Sequence, residues 1–384
     1  MACLYRYSFL AIFGLLASAS AQVDDAPPMA CLIVRSGGNP YFASMTGGAE
    51  ARAAELGIDL QTYVTSESGT VGGVAAAEIN VGHIQKCVED GARALLLSIA
   101  ADDPGSDRET VAIEAAREQG ILAVALDAFV GGVDAVFETN NTAAGVAVGT
   151  YAHASVPNPD DARIAILHCS FADIPNIYDR VVGFVSGFGL NVQYSNPTRE
   201  VDFSTDVRVT SAQQYKCSSS DSAKTAMLAA LQSGDAPTVV FVTNELGGFG
   251  ALEAVQEEGL EGVRIMTVDG SCNGVAEVYD GGFDANIIQQ PALMGKLGVD
   301  SITAFLDDGT TPGDTEIPFA FAVAEPVAGV ETSSKEEAME SCWGSVDVGA
   351  EATSSAGRFI RGAWTRLATL ISGAPLLVVA LSLI

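Results

Sequence analysis

The chain has 384 residues, of which 48% are hydrophobic and only 17% are charged. This length and composition suit a globular protein with enough core for two domains, and they argue against intrinsic disorder. The formal net charge of −29 at pH 7 repels phosphate groups and anionic lipid headgroups, so we expect no nucleic-acid partner.

The N-terminal residues have the pattern of a secretory signal peptide. Arg6 supplies the positive charge, residues 9–16 (FLAIFGLL) form the apolar stretch, and a run of small residues precedes Gln22. We therefore predict that residues 1–21 are a signal peptide, which is removed from a protein that is secreted or displayed at the cell surface.

Short apolar runs alternate with helical patterns in the first half of the chain. Each helical pattern stops at a glycine, which is typical of a helix C-terminus. Continuous apolar strands separated by helices predict a parallel sheet covered on both faces. The predicted strands are residues 30–34, 60–64, 94–98, 122–126 and 135–138, and the predicted helices include residues 47–56, 75–90 and 108–119.

The same alternation starts again at residue 163. Because the total number of strands exceeds what one small sheet holds, the sequence predicts an α/β protein with two doubly wound lobes. The predicted strands of the second half are residues 163–168, 200–208, 239–242, 263–268 and 285–288, and its helices are residues 179–189, 220–232, 247–258, 276–279 and 296–307.

The cysteines and one glycosylation motif are typical of an exported chain. Six cysteines remain after the predicted signal peptide, and an even number predicts three disulfides whose pairing the spacing leaves open. The absence of a C-x-x-C pair and of a histidine cluster argues against a metal site. Asn140-Asn141-Thr142 is an N-glycosylation motif. The six cysteines are Cys31, Cys87, Cys169, Cys217, Cys272 and Cys342.

The C-terminal residues are predicted to attach the protein to a membrane. Residues 367–384 (LATLISGAPLLVVALSLI) are apolar to the last residue, and small residues at 354–357 lie upstream of a polar spacer. This order favours a glycolipid (GPI) anchor signal within residues 356–384, and a plain transmembrane helix is the alternative. Residues 331–355 are predicted to form a polar stalk between the lobes and this tail.

Polar and aromatic side chains directly follow the predicted strands, where doubly wound sheets bind their ligands. Carboxylates, amides and a guanidinium group can hydrogen-bond to hydroxyl groups, and aromatic rings offer flat faces to a sugar ring. The sequence therefore predicts that a monosaccharide or another polyol is the ligand. The candidate binding residues are Asn39, Tyr41, Phe42, Asp127, Arg180, Asn244, Asp269 and Gln289.

Seven short motifs make the chain, from about residue 30 to 321, similar to the periplasmic sugar-binding proteins of the ribose-binding type, which belong to the type I periplasmic binding protein family. The motifs have comparable order and spacing in that family. They are Asn39-Pro40-Tyr41-Phe42, Ala125-Leu126-Asp127, Glu138-Thr139-Asn140-Asn141, Asp179-Arg180-Val181-Val182-Gly183-Phe184, Val242-Thr243-Asn244-Glu245, Val268-Asp269-Gly270 and Ile288-Gln289-Gln290-Pro291.

The resemblance implies two Rossmann-like doubly wound lobes, joined by a three-segment hinge, that close over a monosaccharide without catalysis or a cofactor. The N-terminal lobe would comprise residues 28–141 plus 291–321, and the C-terminal lobe residues 142–290. The first four candidates would line the N-terminal lobe, the next three the C-terminal lobe, and Gln289 would lie beside the hinge. A membrane transporter or a receptor would be the partner.

One position departs from the ribose-binding pattern. Ala128 follows Asp127, where ribose-binding members usually carry an arginine. Losing a charged hydrogen bond costs about 1.5–3 kcal/mol unless another group replaces it. The departure therefore argues against ribose itself but not against a sugar. Tyr215 is the nearest candidate for an aromatic wall in the C-terminal lobe.

Two other functions are compatible with the sequence. The first is a surface sensor or receptor for a non-sugar molecule, such as a furanosyl signal or an amino acid, because this fold binds all of these. The second is a glycan-acting enzyme that uses two of the carboxylates Asp127, Glu245 and Asp269. Since none of the three lies in an evident nucleophile–base pattern, we expect a binding protein rather than an enzyme.

Overall fold

The computed structural model describes residues 26–37, 39–66, 74–99, 107–171, 174–195, 198–232, 234 and 236–345. The predicted signal peptide, residues 1–21, and the predicted membrane tail, residues 356–384, lie outside these residues. None of the described helices combines the length and the apolar character that crossing a bilayer requires.

Strands and helices alternate as the sequence predicts. The strands are β1 (Met29–Val34), β2 (Asp59–Val64), β3 (Ala94–Ser98), β4 (Leu122–Leu126), β5 (Ala135–Thr139), β6 (Ile164–His168), β7 (Gln193–Ser195), β8 (Glu200–Asp202), β9 (Val209–Gln214), β10 (Val239–Val242), β11 (Arg264–Asp269), β12 (Ala285–Ile288), β13 (Thr315–Ile317) and β14 (Ala320–Val323). The helices are α1 (Pro40–Leu56), α2 (Val74–Glu89), α3 (Arg108–Arg117), α4 (Asn141–Ser155), α5 (Pro175–Phe188), α6 (Ser220–Gln232), α7 (Glu245–Glu257), α8 (Cys272–Asp280), α9 (Pro291–Asp308) and α10 (Lys335–Ser341).

Within the described residues, twelve strands form two six-stranded sheets, and β7 and β8 form a small two-stranded sheet. The first has the order β13-β5-β4-β3-β1-β2 and is parallel throughout. The second has the order β14-β12-β11-β10-β6-β9, and its only antiparallel neighbour pair is β12–β14. The central strands are buried on both faces, which explains their continuous apolar sequences. The predicted α/β fold with two doubly wound lobes is confirmed.

The described chain passes between the two lobes three times, at residue 140, at residues 289–290 and at residues 318–319. The structure therefore contains the three-segment hinge. One boundary differs from the prediction, because β14 pairs with β12 in the second sheet. Residues 320–323 thus belong to the C-terminal lobe rather than to the N-terminal lobe.

Several elements begin or lie elsewhere than the sequence pattern suggests, and α4, β13 and β14 were not predicted. Helix α1 and strand β9 show the reasons. Helix α1 begins at Pro40, seven residues before the predicted start, because Asn39 caps it and proline suits the first helical turn. The strand predicted at residues 200–208 is replaced by the short strand β8, and the sixth strand of the sheet is β9. Strand β9 lies at the sheet edge and is mostly polar (VTSAQQ), so it has no apolar run to reveal it.

Close helix packing depends on glycine at particular positions. A Cβ at Gly48 of α1 would overlap the backbone carbonyl of Ala292 in α9. In the C-terminal lobe, a Cβ at Gly145 of α4 would overlap the carbonyl of Arg180 in α5. These contacts bring α1 and α5, which carry candidate binding residues, close to the hinge.

The three predicted disulfides are present, and the structure supplies their pairing. Cys31 pairs with Cys87, Cys169 with Cys217, and Cys272 with Cys342. Such bonds are typical of compartments outside the cytoplasm.

The described part of the predicted stalk, residues 331–345, is not a free polar segment. Ser334 and Glu337 form a reciprocal capping box that starts helix α10, and Ala338 is fully buried. The Cys272–Cys342 disulfide then joins this segment to α8. The expectation of a stalk is therefore wrong up to residue 344, because a capped helix and a covalent bond fix the segment to the C-terminal lobe.

Candidate ligand-binding cleft

Asp127 is the centre of the polar groups that the N-terminal lobe presents at the ends of its strands. It follows β4, is 8% exposed, and has φ of 74°, which non-glycine residues rarely adopt. Its carboxylate accepts hydrogen bonds from Arg35 Nη2 at 2.7 Å and from the Tyr41 hydroxyl at 2.8 Å. Sequence reasoning missed Arg35, although its position directly after β1 was a usable signal.

Tyr41 and Phe42 lie in the first turn of α1, and each is 6% exposed. Their ring centroids are 5.3 Å apart in an edge-to-face arrangement. The Arg35 guanidinium lies 5.0 Å from the centre of the Phe42 ring, which is within cation–π range. The Asn39 side chain accepts a hydrogen bond from the Tyr41 backbone N–H at 2.9 Å and so fixes the turn that places both rings.

Arg180, Asp269 and Gln289 converge at the strand ends of the C-terminal lobe. Arg180 donates to Asn141 Oδ1 and to the Thr243 carbonyl, each at 2.8 Å, and to Asp269 Oδ1 at 3.3 Å. Gln289 donates to the same Asp269 oxygen at 2.8 Å. Burial raises the pKa of Asp269, and the Arg180 charge opposes this shift. The structure thus brings together three residues that were predicted individually as binding residues.

Asn244 is held by protein partners at the same strand ends. It is the N-cap of α7, and its oxygen accepts hydrogen bonds from the Gly247 N–H at 2.9 Å and from the Tyr215 hydroxyl at 2.7 Å. Its amide donates to the Cys217 carbonyl at 3.0 Å. The side chain therefore positions Tyr215, which is 5% exposed.

Several contacts cross from one lobe to the other. Asn176 of α5 donates to the Asp127 carbonyl at 2.5 Å. Burial, together with the Asp127 carboxylate, raises the pKa of Tyr41 well above its ordinary value, and Asp269 of the opposite lobe adds to this shift. The ring of Trp343 lies 5.3 Å from that of Tyr41, while its indole N–H donates to the Asp269 carbonyl at 3.1 Å. The two groups of candidate residues therefore face each other across a narrow cleft.

Glu245 fixes the loop that carries Asp269. Its carboxylate has no solvent exposure and accepts hydrogen bonds from the backbone N–H groups of Gly270 and Ser271, both at 3.0 Å. It also accepts one from Asn286 at 2.7 Å. Burial raises the pKa of Glu245 to about 7. These contacts give this carboxylate a positioning role, and they argue against the enzyme hypothesis in which it would act on a glycan.

Two acids, the partly buried Glu138 and the fully buried Glu245, predict that the stability of the folded protein falls as the pH rises. Burial raises the pKa of Glu138 and of Glu245 from an ordinary value of 4.5 to about 7. Between these values the folded protein binds protons that the unfolded chain releases, so the free energy of unfolding decreases with pH in that window. We expect the melting temperature to be higher at about pH 5 than at about pH 8, and Glu138→Gln to flatten the curve. A melting temperature that rises over this range would contradict the burial of these acids.

The candidate residues fall into two groups by what the structure does with them. Six bring side-chain polar groups or rings to the two cleft walls, and two act as helix caps beside them. Among the described residues, no cluster of histidine, cysteine or acidic side chains could hold a metal ion. The six are Tyr41, Phe42, Asp127, Arg180, Asp269 and Gln289, and the two caps are Asn39 and Asn244.

Comparisons with known proteins agree with this architecture. The ribose import binding protein of Haemophilus influenzae is 28% identical over 293 residues, which cover 75% of this chain and 88% of that protein. Two solved structures share the fold. A periplasmic ribose ABC transporter from Conexibacter woesei has a TM-score of 0.65 at 15% identity, and a galactofuranose binding protein has a TM-score of 0.64 at 17% identity. Each match covers 82% of this chain and 98% of the other.

The family follows from the sequence itself. The sequence profile of the periplasmic binding protein domain matches residues 30–311, which is well over half of the chain. The disulfides and the family together place the protein outside the cytoplasm. The chain therefore belongs to the periplasmic binding protein family, of the ribose-binding type, and it is a binding protein rather than an enzyme.

Proposed function

We propose that the protein binds a small neutral sugar or polyol in the cleft between its lobes, which close on the ligand. The observation that carries this proposal is the pair of carboxylates, Asp127 and Asp269, which the two lobes present toward each other beside the Tyr41 ring. Each carboxylate has lone pairs beyond those used by its protein partners, so each can accept hydrogen bonds from hydroxyl groups. The names of the ribose and galactofuranose relatives support the same ligand class.

The charge balance of the cleft favours a neutral ligand over an amino acid. An α-carboxylate needs a cation, and Arg180 is already paired with Asp269. Arg35 is likewise paired with Asp127. A ligand without charge would leave both ion pairs intact.

We propose that Arg35 supplies the donor that Ala128 lacks. Arg35 directly follows β1, and its guanidinium donates to the carboxylate of Asp127, which directly follows β4. Among the described residues, neither the buried Nε of Arg35 nor the buried Oε1 of Gln289 has a hydrogen-bond partner. A buried polar atom without a partner costs about 1–3 kcal/mol, and a ligand hydroxyl at each would remove that cost.

A binding screen tests this function. The exported chain is mixed with pentoses, hexoses and inositols, and its melting temperature and heat of binding are measured. We expect at least one of these compounds to bind, and Arg35→Met to weaken that binding in a protein that is still folded. Its melting temperature should also fall, because Asp127 loses its cation. Failure of every compound to bind to a folded protein would reject the proposal.

We also propose that residues 356–384 direct attachment of a glycolipid anchor, and that a membrane transporter or receptor receives the ligand. The apolar tail and the small residues before it support the anchor, and the name of the import binding protein supports the partner. A phospholipase that cleaves glycolipid anchors is expected to release the protein from intact cells. Retention on the membrane after this treatment would support a transmembrane helix instead.

Glycosylation of Asn140 is a further part of the proposal. This asparagine lies at the first hinge crossing, is partly exposed, and uses its side-chain oxygen to cap α4. Its amide nitrogen, where a glycan would be attached, does not make that capping bond. A mass decrease after glycosidase treatment, absent in Asn140→Gln, would support it, and an unchanged mass would reject it.

A further inference from the structure

The segment from Lys335 to Gly344, which we call the C-terminal latch, lies beyond residue 311, where the family profile ends. It begins with the capped helix α10 and ends with Trp343 and Gly344. Nothing in the proposed sugar site requires this segment. Its contacts nevertheless include both lobes of the cleft, so it affects how the lobes move relative to each other.

The backbone of the latch is fixed to the C-terminal lobe. Cys342 forms a disulfide with Cys272 at the start of α8. The Cys272 N–H donates to the Gly344 carbonyl at 3.0 Å, and the Trp343 N–H donates to the Gly270 carbonyl at 3.4 Å. When the lobes separate, the latch therefore moves with the C-terminal lobe.

The Trp343 side chain, in contrast, packs into the hydrophobic core cluster of the N-terminal lobe and is 7% exposed. Its ring meets Tyr41 edge to face, with an interplanar angle of 79°. Gly344 approaches Pro40 so closely that an added Cβ would lie 3.2 Å from the proline Cβ. These contacts exist only while the two lobes are together.

A contact that exists in only one arrangement shifts the population toward that arrangement. We propose that the C-terminal latch stabilises the closed cleft, with Trp343 as its positioning residue and the Cys272–Cys342 disulfide as its anchor. Since Trp343 donates to the backbone of Asp269 and packs on Tyr41, it couples closure to two residues of the cleft. The proposal rests on the proposed lobe closure but not on the identity of the sugar.

The first test measures lobe closure without any ligand. Small-angle X-ray scattering of the exported chain, solubilised if it carries its tail, gives the radius of gyration of each variant. Trp343→Ala removes the ring that packs on Tyr41 and in the core of the N-terminal lobe. We therefore expect the closed-to-open ratio to fall about 5- to 50-fold and the radius to increase. Trp343→Phe keeps a ring and is expected to restore most of the closure. Met339→Ala, an exposed change on the same segment, is the matched control and should leave the radius unchanged.

The second test concerns the Cys272–Cys342 disulfide, which fixes the latch to the C-terminal lobe. The chain has two tryptophans, and one of them, Trp364, is in the predicted tail. With Trp364→Phe, the fluorescence reports Trp343 alone. Adding Cys272→Ser and Cys342→Ser is expected to shift the emission to longer wavelength, because the ring leaves its buried position more often.

The outcomes separate the latch from the proposed function. An unchanged radius of gyration in folded Trp343→Ala overturns the latch. An unchanged emission wavelength in the variant without the Cys272–Cys342 disulfide overturns the role of that disulfide. A larger radius in Trp343→Ala supports the latch even if no sugar binds in the screen. In that case the sugar proposal fails while the latch stands.

Discussion

Replacing Asp127 with asparagine is expected to weaken sugar binding about 10- to 150-fold, which corresponds to the loss of one charged hydrogen bond. The carboxylate accepts from Arg35 and from the Tyr41 hydroxyl, and both partners are donors in these contacts. An amide nitrogen would oppose one of these donors and would remove the charge that organises them. The dissociation constant is measured by calorimetry with the sugar that gives the largest thermal shift in the screen.

A surface substitution controls for the change of charge. Asp90 follows the last residue of α2 and forms an exposed ion pair with Lys86 at 2.6 Å. Asp90→Asn should leave the dissociation constant within about twofold, because exposed ion pairs contribute little. Equal affinities of wild type and folded Asp127→Asn would mean that the ligand does not contact this carboxylate.

Two adjacent glycines of α1 are expected to respond in opposite ways to the same substitution. A Cβ at Gly48 would overlap the Ala292 backbone, so Gly48→Ala must push α1 away from α9. We expect this to lower the free energy of unfolding by about 1–3 kcal/mol. It should also weaken sugar binding, because α1 carries Tyr41 and Phe42.

Gly47 provides the matched control, since a Cβ there meets no atom within 4 Å. Gly47→Ala should stabilise the protein by up to about 1 kcal/mol, because alanine favours the helical backbone. Urea unfolding of both variants gives the comparison. A similar stability for the two would show that α1 and α9 are not packed backbone to backbone.

The fold was predictable because buried parallel strands carry continuous apolar runs. Strands such as β3, β4 and β10 have only apolar or small residues and were placed correctly. Strand β9 was not, because an edge strand with polar residues lacks that pattern. The stalk was mistaken for the same reason, since a short capped helix held by a disulfide has little apolar periodicity.

The candidate cleft was predictable from one rule, the position directly after a strand. That rule found Asp127 and Asp269, whose positive φ values of 74° and 147° mark them as unusual in the structure. It could not separate ligand-facing residues from helix caps, because a cap occupies the same place between a strand and a helix. Asn176 and Trp343 depend on contacts between distant parts of the chain, and no local pattern reveals them.

A crystal structure of the exported protein with the sugar identified by the screen tests the central claim most directly. We expect the sugar between the lobes, with hydroxyl groups within about 3 Å of Asp127 and Asp269 and with Tyr41 or Phe42 against its ring. A sugar bound outside the cleft, or within it but without contact to either carboxylate, would contradict the account.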